Sequence, residues 1–185
     1  MALIFDTMEK NCDQNNGLFL EIKEIFKRFI EPIYGSQQKF LEKIRIGRDR
    51  RCQVLFFKNQ IEGILVYKTK NSDEFKDFGV LNALELKTLL LTHKNKKFSG
   101  LLISSLYKQL GIVALEKQAN CIVSTVSSER EDAFRVARKL GFIKVYSFMD
   151  KNVNKAEEFL VYHPKPLELV VNADKLIKRY ERKSS

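Results

Sequence analysis

The chain has 185 residues, long enough for one domain with a full core. A hydrophobic share of 44% and a charged share of 30% are those of a soluble globular protein. No apolar run reaches membrane-spanning length, and Met1-Ala2-Leu3-Ile4-Phe5-Asp6 lacks the basic and apolar regions of a secretory signal, so a cytoplasmic protein without membrane partners is expected. Against 23 acidic residues stand 33 Lys and Arg, a net charge of +10, which suits nucleic acid, a phosphorylated cofactor or an acidic protein, and equally a merely lysine-rich surface. Cys12, Cys52 and Cys121 share no metal or redox spacing. Cys52 and Cys121 fall in or beside strands and read as small, reduced core residues.

Residues 1–16 are polar after a short apolar start and read as an arm or a first edge strand. Leu18, Ile22, Ile25, Phe26 and Phe29 recur at helical spacing, which predicts a helix over Leu18–Ile30, ended by Glu31-Pro32. Ser36 is placed to cap a second helix, Gln37–Ile46, with Phe40, Leu41 and Ile44 inward. Arg45, Arg48, Arg50 and Arg51 then read as a solvated turn, or as contacts to an anionic acceptor such as RNA. Gln53–Phe57 and Ile61–Lys68 are expected as strands joined by Lys58-Asn59-Gln60, with Gly63 allowing a bulge or a close backbone approach. Lys70–Phe78 is polar and looks mobile.

The central stretch runs from Leu84 to Phe142. Leu84, Leu86, Leu89, Leu90 and Leu91 form an almost continuous apolar run, as in a strand covered on both faces. After the basic loop Thr92–Ser99, Leu101, Leu102, Leu106, Leu110, Val113 and Ala114 mark a helix over Ser99–Lys117. Cys121–Val126 reads as a second strand. Ser127 or Ser128 then caps a helix with Glu131 in its first turn, and Gly141 suits the left-handed position at its end. Strand, crossover helix and parallel strand make a right-handed unit, whose ligands usually lie beyond the carboxyl ends of the strands. Phe142–Met149 and Glu158–His163 read as an antiparallel pair of strands. Beyond Pro164 and Pro166, Leu167–Val171 reads as an added edge strand, and Asn172 as the cap of a short basic helix, Ala173–Lys183. The sum is an α/β (α+β) chain with a mixed sheet and helices on both faces.

The order of elements, the strand Glu85-Leu86-Lys87-Thr88-Leu89-Leu90-Leu91, and the ending Ala133-x-x-x-x-x-Lys139-Leu140-Gly141-Phe142 together resemble the GNAT family of acetyl-CoA-dependent N-acetyltransferases. In organisation the resemblance covers residues 18–163; residues 164–185 form a basic C-terminal extension. It implies the GNAT acyl-CoA acyltransferase fold and direct transfer of an acetyl group from acetyl-CoA to an amine, with no metal. The first two helices would form one wall of the acceptor cleft.

The family's phosphate loop is Arg/Gln-x-x-Gly-x-Gly/Ala. Here it reads Lys94-Asn95-Lys96-Lys97-Phe98-Ser99, or, one residue later, Asn95 through Gly100. The first glycine is absent either way, and Lys94, Lys96 and Lys97 supply positive charge in its place. The resemblance places the thioester carbonyl against the backbone of Leu89, Leu90 and Leu91. It makes Glu85 the general base, the alternative being a structural ion pair with Lys87 or another base of the sheet; Glu62 is a second candidate. The family's tyrosine acid falls at Ala137 and its asparagine at Arg130, which faces either the pantetheine arm or solvent. Tyr107 and Tyr146 are the substitutes to consider for the acid, and His93, beside the loop, reads as incidental. The acceptor is left open among a small amine, a protein lysine or N-terminus, and aminoacyl-tRNA. GNAT proteins are often homodimers. Two other readings stand beside the enzyme: a catalytically impaired GNAT-like module that binds nucleic acid or protein, and an acyltransferase served by an acidic acyl carrier protein.

Overall fold

The computed structural model describes residues 4–8, 17–29, 31–34, 49–73, 75–92, 98–127, 131–149 and 157–184. Its strands are β1 (Ile4–Met8), β2 (Arg50–Phe57), β3 (Gln60–Lys68), β4 (Ala83–Leu91), β5 (Cys121–Ser127), β6 (Ile143–Met149) and β7 (Glu157–His163). Its helices are α1 (Gly17–Phe29), α2 (Glu31–Tyr34), α3 (Ser99–Glu116), α4 (Glu131–Lys139) and α5 (Pro166–Ser184). The strands form one 7-stranded sheet in the order β1-β2-β3-β4-β5-β7-β6. Neighbours are antiparallel except β4 and β5, which are parallel and joined through α3. The expected central unit is present.

Period-two alternation divides the core between the two faces of the sheet. Leu55, Leu65, Tyr67, Leu84, Leu86 and Ile122 pack with Leu102, Leu106, Leu110, Val113 and Ala114 of α3. On the other face, Cys52, Val54, Ile61, Ile64 and Val66 pack with Ile22 and Phe26 of α1. Full burial of one such side chain contributes about 1.5–3 kcal/mol. Gly63 lets α3 approach: a Cβ there would lie 2.8 Å from Leu106 Cδ1. The β2–β3 turn has two central residues, Lys58 and Asn59, with φ of 50° and 60°, the pattern of a type I′ turn.

Several expectations need correction. Leu167–Val171 is not an edge strand, and Asn172 caps nothing: both lie inside α5. The Leu-Val-Val run favours a strand locally, but Pro166 suits a first helical position, and Leu169, Ala173 and Leu176 recur on one side of the helix against the core. Asn172 donates through Nδ2 to the Leu140 carbonyl at 3.2 Å. Lys70–Phe78 is not merely a polar linker. Ser72 bridges to Ala83, Lys76–Phe78 form a 3₁₀ turn, and Asn71 Nδ2 donates to Asn82 Oδ1 and to the Lys117 carbonyl. Arg50 and Arg51 are not a solvated turn: they open β2, and Arg50 is buried. The first helix ends at Phe29, just before Glu31-Pro32, as expected, and Glu31–Tyr34 then form the short α2. The expected helix Gln37–Ile46, with Arg45 and Arg48, lies outside the described residues.

Candidate active site

The sheet opens where β4 leaves β5. Their register runs from Ala83↔Cys121 to Leu86↔Ser124 and stops there. β4 continues to Leu91 on β3, while β5 continues to Ser127 on β7. Lys87–Leu91 and Thr125–Ser127 are therefore the arms of a fork. Ser124 Oγ donates to the Leu86 carbonyl at 3.0 Å and closes its base. Lys87 is a bulge: Leu86 pairs with Tyr67 and Thr88 with Val66, leaving Lys87 between them.

Backbone direction selects the groups that line this fork. The Thr92 N–H donates to the Glu62 carbonyl at 3.1 Å and so points to β3. Along an antiparallel pair, alternate residues turn their N–H and C=O to opposite sides. Leu90 therefore faces β3 as Thr92 does, whereas Leu89 and Leu91 turn their N–H groups into the fork. Of the three residues expected there, two supply donors. The side chains of Leu89 and Leu91, with Phe98, Ile103, Val126 and Val136, pack at the border of the core on the α3 side.

Glu85 alternates with Leu84 and Leu86, so it lies on the face opposite α3. Its carboxylate makes ion pairs with Lys87 and, at 2.8 Å, with Lys68. The carboxylate is 5% exposed, Lys68 16% and Lys87 22%. Burial lowers the Lys87 pKa, and nearby Lys68 and Arg50 push the same way against the opposing pull of Glu85. The pairing with Lys87 was legible two residues away in the chain. Lys68 was missed, because only the β3–β4 register brings it to Glu85. Glu62, the weaker candidate, sits on the β3 segment that bonds Thr92 through its carbonyl.

α3 begins at Ser99, where the fork ends, and its first turn carries no acidic residue. The first N–H groups of a helix lack intrahelical partners and favour an anion. Phe98, Ser99 and Gly100 stand at this end; Lys94, Asn95, Lys96, Lys97 and His93 lie outside the described residues, as does Arg130. The space that a Cβ at Gly100 would take is filled by the ring of Tyr180 from α5, whose Oη lies 2.7 Å from that point. Gly100 thus serves helix packing, a role for which the loop pattern carries no signal.

Ala137, at the family's tyrosine position, is buried in the core. Tyr107 is buried too, and desolvation pushes its phenol above the ordinary range. Tyr146 stands on β6, beyond β5 and β7 from the fork, with its ring 5.0 Å from that of Phe78. It is therefore excluded as the acid. Cys52 and Cys121 are buried, and burial pushes the Cys121 thiol up to about 11, so neither is a nucleophile. Among the described residues no group of three His, Cys, Asp or Glu could hold a metal ion.

No family model matches the chain, and no curated protein matches it. Solved structures do. One is a spermidine N-acetyltransferase chimera from Vibrio cholerae and hSSAT: 16% identity over 90% of this chain and 98% of the other, TM-score 0.62. Another is Arabidopsis thaliana NAA60 in complex with a bisubstrate analogue: 15% identity, 88% and 97% covered, TM-score 0.65. A third is a probable acetyltransferase from Staphylococcus epidermidis: 11% identity, 88% and 98% covered, TM-score 0.65. The fold is shared with these structures over nearly the whole chain, and the protein has the fold of the GNAT acetyltransferases.

Proposed function

We propose that the chain is an N-acetyltransferase that passes an acetyl group from acetyl-CoA directly to an amine. The observation that carries this reading is the fork, with the Leu89 and Leu91 N–H groups turned into it and the start of α3 at its open end. The N–H groups at Phe98, Ser99 and Gly100 and the side chains of Lys94, Asn95, Lys96 and Lys97 would hold the cofactor's phosphates. When bound, the cofactor supplies an activated acyl carbon. Leu89 and Leu91 then polarise the carbonyl by donating hydrogen bonds. Glu85 accepts the proton of the acceptor ammonium, directly or through water. No residue is assigned to protonate the leaving thiolate. A thiol's pKa of about 8.5 makes that step the least demanding. The chain works in the cytoplasm, with residues 1–163 and the α5 helix packed on their core as the acetyltransferase unit.

A second reading is favoured by two observations: buried Ala137 where the family has tyrosine, and Glu85 held in two ion pairs. This is a binding module without turnover, for an RNA or protein partner. Calorimetric titration with acetyl-CoA and CoA, followed by acetylation assays on amines, peptides and charged tRNA, separates them. Micromolar cofactor binding with turnover supports the enzyme. Absence of binding at millimolar cofactor sinks it. Salt-sensitive RNA binding without CoA affinity supports the module.

A further inference from the structure

We infer that Lys87 receives a negatively charged group that the acceptor carries beside its amine, so that the acceptor is an anion-bearing amine and not a polyamine. The inference rests on the acetyltransferase reading above and adds the acceptor's chemical class to it. Lys87 is the first residue of β4 past the last β4–β5 pair, so it stands at the base of the fork. It shares a face with Glu85, opposite α3, which is the side left to the acceptor when the cofactor's phosphates sit at the start of α3.

The Lys87 side chain is 22% exposed and that of Lys68 16%, while the Glu85 side chain that both pair with is 5% exposed. A cationic acceptor at this point meets two ammonium groups, both more exposed than the Glu85 carboxylate that they share. The charged groups acting on Lys87 are Glu85, Lys68 and Arg50, one anion and two cations, and Glu85 is already shared with Lys68. A largely desolvated cation in such surroundings is stabilised by a further anion. A carboxylate or phosphate on the acceptor supplies that anion and places the neighbouring amine next to Glu85. A polyamine brings more positive charge and finds no second carboxylate among these groups.

The test titrates the full chain, saturated with CoA, by calorimetry. The matched pairs are glycine with glycinamide and phosphoethanolamine with ethanolamine, and spermidine is the polycation. The two pairs tell a carboxylate from a phosphate. The expected result is that at least one anionic member binds at least about tenfold more tightly than its uncharged partner and than spermidine, the effect of one charge-assisted hydrogen bond. Lys87→Gln removes that difference and Lys87→Arg keeps most of it, while both retain the CoA affinity of the parent chain, which also shows that they fold. Equal or tighter binding of spermidine or of the uncharged amines, survival of the preference in Lys87→Gln, or binding of none of the five overturns the inference. Failure of the parent chain to bind CoA overturns the acetyltransferase reading instead.

Discussion

Ser124 donates its hydroxyl hydrogen to the carbonyl oxygen of Leu86 at the point where β4 and β5 part. The Leu86 carbonyl would otherwise lose a partner inside the sheet, and such a loss costs about 1–3 kcal/mol. Ser124→Ala is therefore expected to lower unfolding free energy by about 1 kcal/mol, with acetyl transfer falling severalfold as the fork loosens. Urea melts and steady-state rates check both. Unchanged stability and rate would show that the fork is set by the rest of the sheet.

The loop before α3 offers a test of where the phosphates sit. Replacing Lys94, Lys96 and Lys97 together with Ala is expected to weaken CoA binding by at least about tenfold, at less than 1.5 kcal/mol per cation. The loss should shrink in high salt, because exposed charges are screened. Titration of the triple variant at low and high salt measures this. Parent-like affinity would move the pyrophosphate elsewhere.

Leu84, Leu86 and the α3 stripe from Leu101 to Ala114 announce their elements because local preference and tertiary role agree there. Gly141 was legible for the same reason: at φ +104°, it ends α4 with Phe142 N–H bonded to the Ala137 carbonyl. Leu167–Val171 was misread because its β-branched run favours a strand, while the packing of Leu169 and Ala173 on the core decides for a helix. In the site, Glu85 was visible as a carboxylate on a central strand, and its pairing with Lys87 as an alternative role. Its second partner, Lys68, depends on the β3–β4 register and its bulge, which no local pattern announces. The same holds for Tyr180, brought to Gly100 by the antiparallel packing of α5 on α3.

His163 is buried, with Nε2 3.0 Å from the Leu140 carbonyl oxygen, and its Nδ1 accepts from the Lys165 N–H at 3.2 Å. The ring is thus a neutral tautomer protonated at Nε2. Burial lowers its pKa below the ordinary 6.5, more than the Leu140 hydrogen bond and nearby Glu168 raise it. Above that pH both the folded and unfolded chains carry it neutral, and stability is fully present. As the pH falls below it, the unfolded chain binds the proton first and stability declines. Thermal midpoints should therefore drop between about pH 7 and pH 5.5, and His163→Gln should flatten this part of the profile. An equally steep decline in the variant would assign the effect to other groups.

Gly111 carries the contact between α3 and α5. A Cβ there would lie 2.7 Å from Val170 Cγ2 and 3.1 Å from the Pro166 carbonyl oxygen. The second atom is backbone, so the start of α5 must shift as a whole. Gly111→Val is expected to destabilise the chain by about 1–3 kcal/mol, the usual cost of overpacking. It should also raise proteolysis after α3 and β7 are otherwise intact, because α5 is the element displaced. Limited proteolysis followed by mass measurement locates the first cut. A first cut inside β2 or β3 would mean that α5 is not the part released.

Glu85 decides between catalysis and structure, since its two lysines explain its burial without any reaction. Glu85→Gln keeps the shape and removes the charge. If the carboxylate is the base, turnover should fall by about 10²–10⁴ with CoA affinity unchanged. The change also leaves Lys68 and Lys87 facing a neutral amide, so stability should drop as well, by about 1–3 kcal/mol. Lys68→Met separates the two effects. It breaks one ion pair but leaves the carboxylate and Lys87, so it should cost stability while keeping most of the turnover. Equal loss of turnover in both variants would mean that the charge cluster supports the sheet and that the proton is accepted elsewhere.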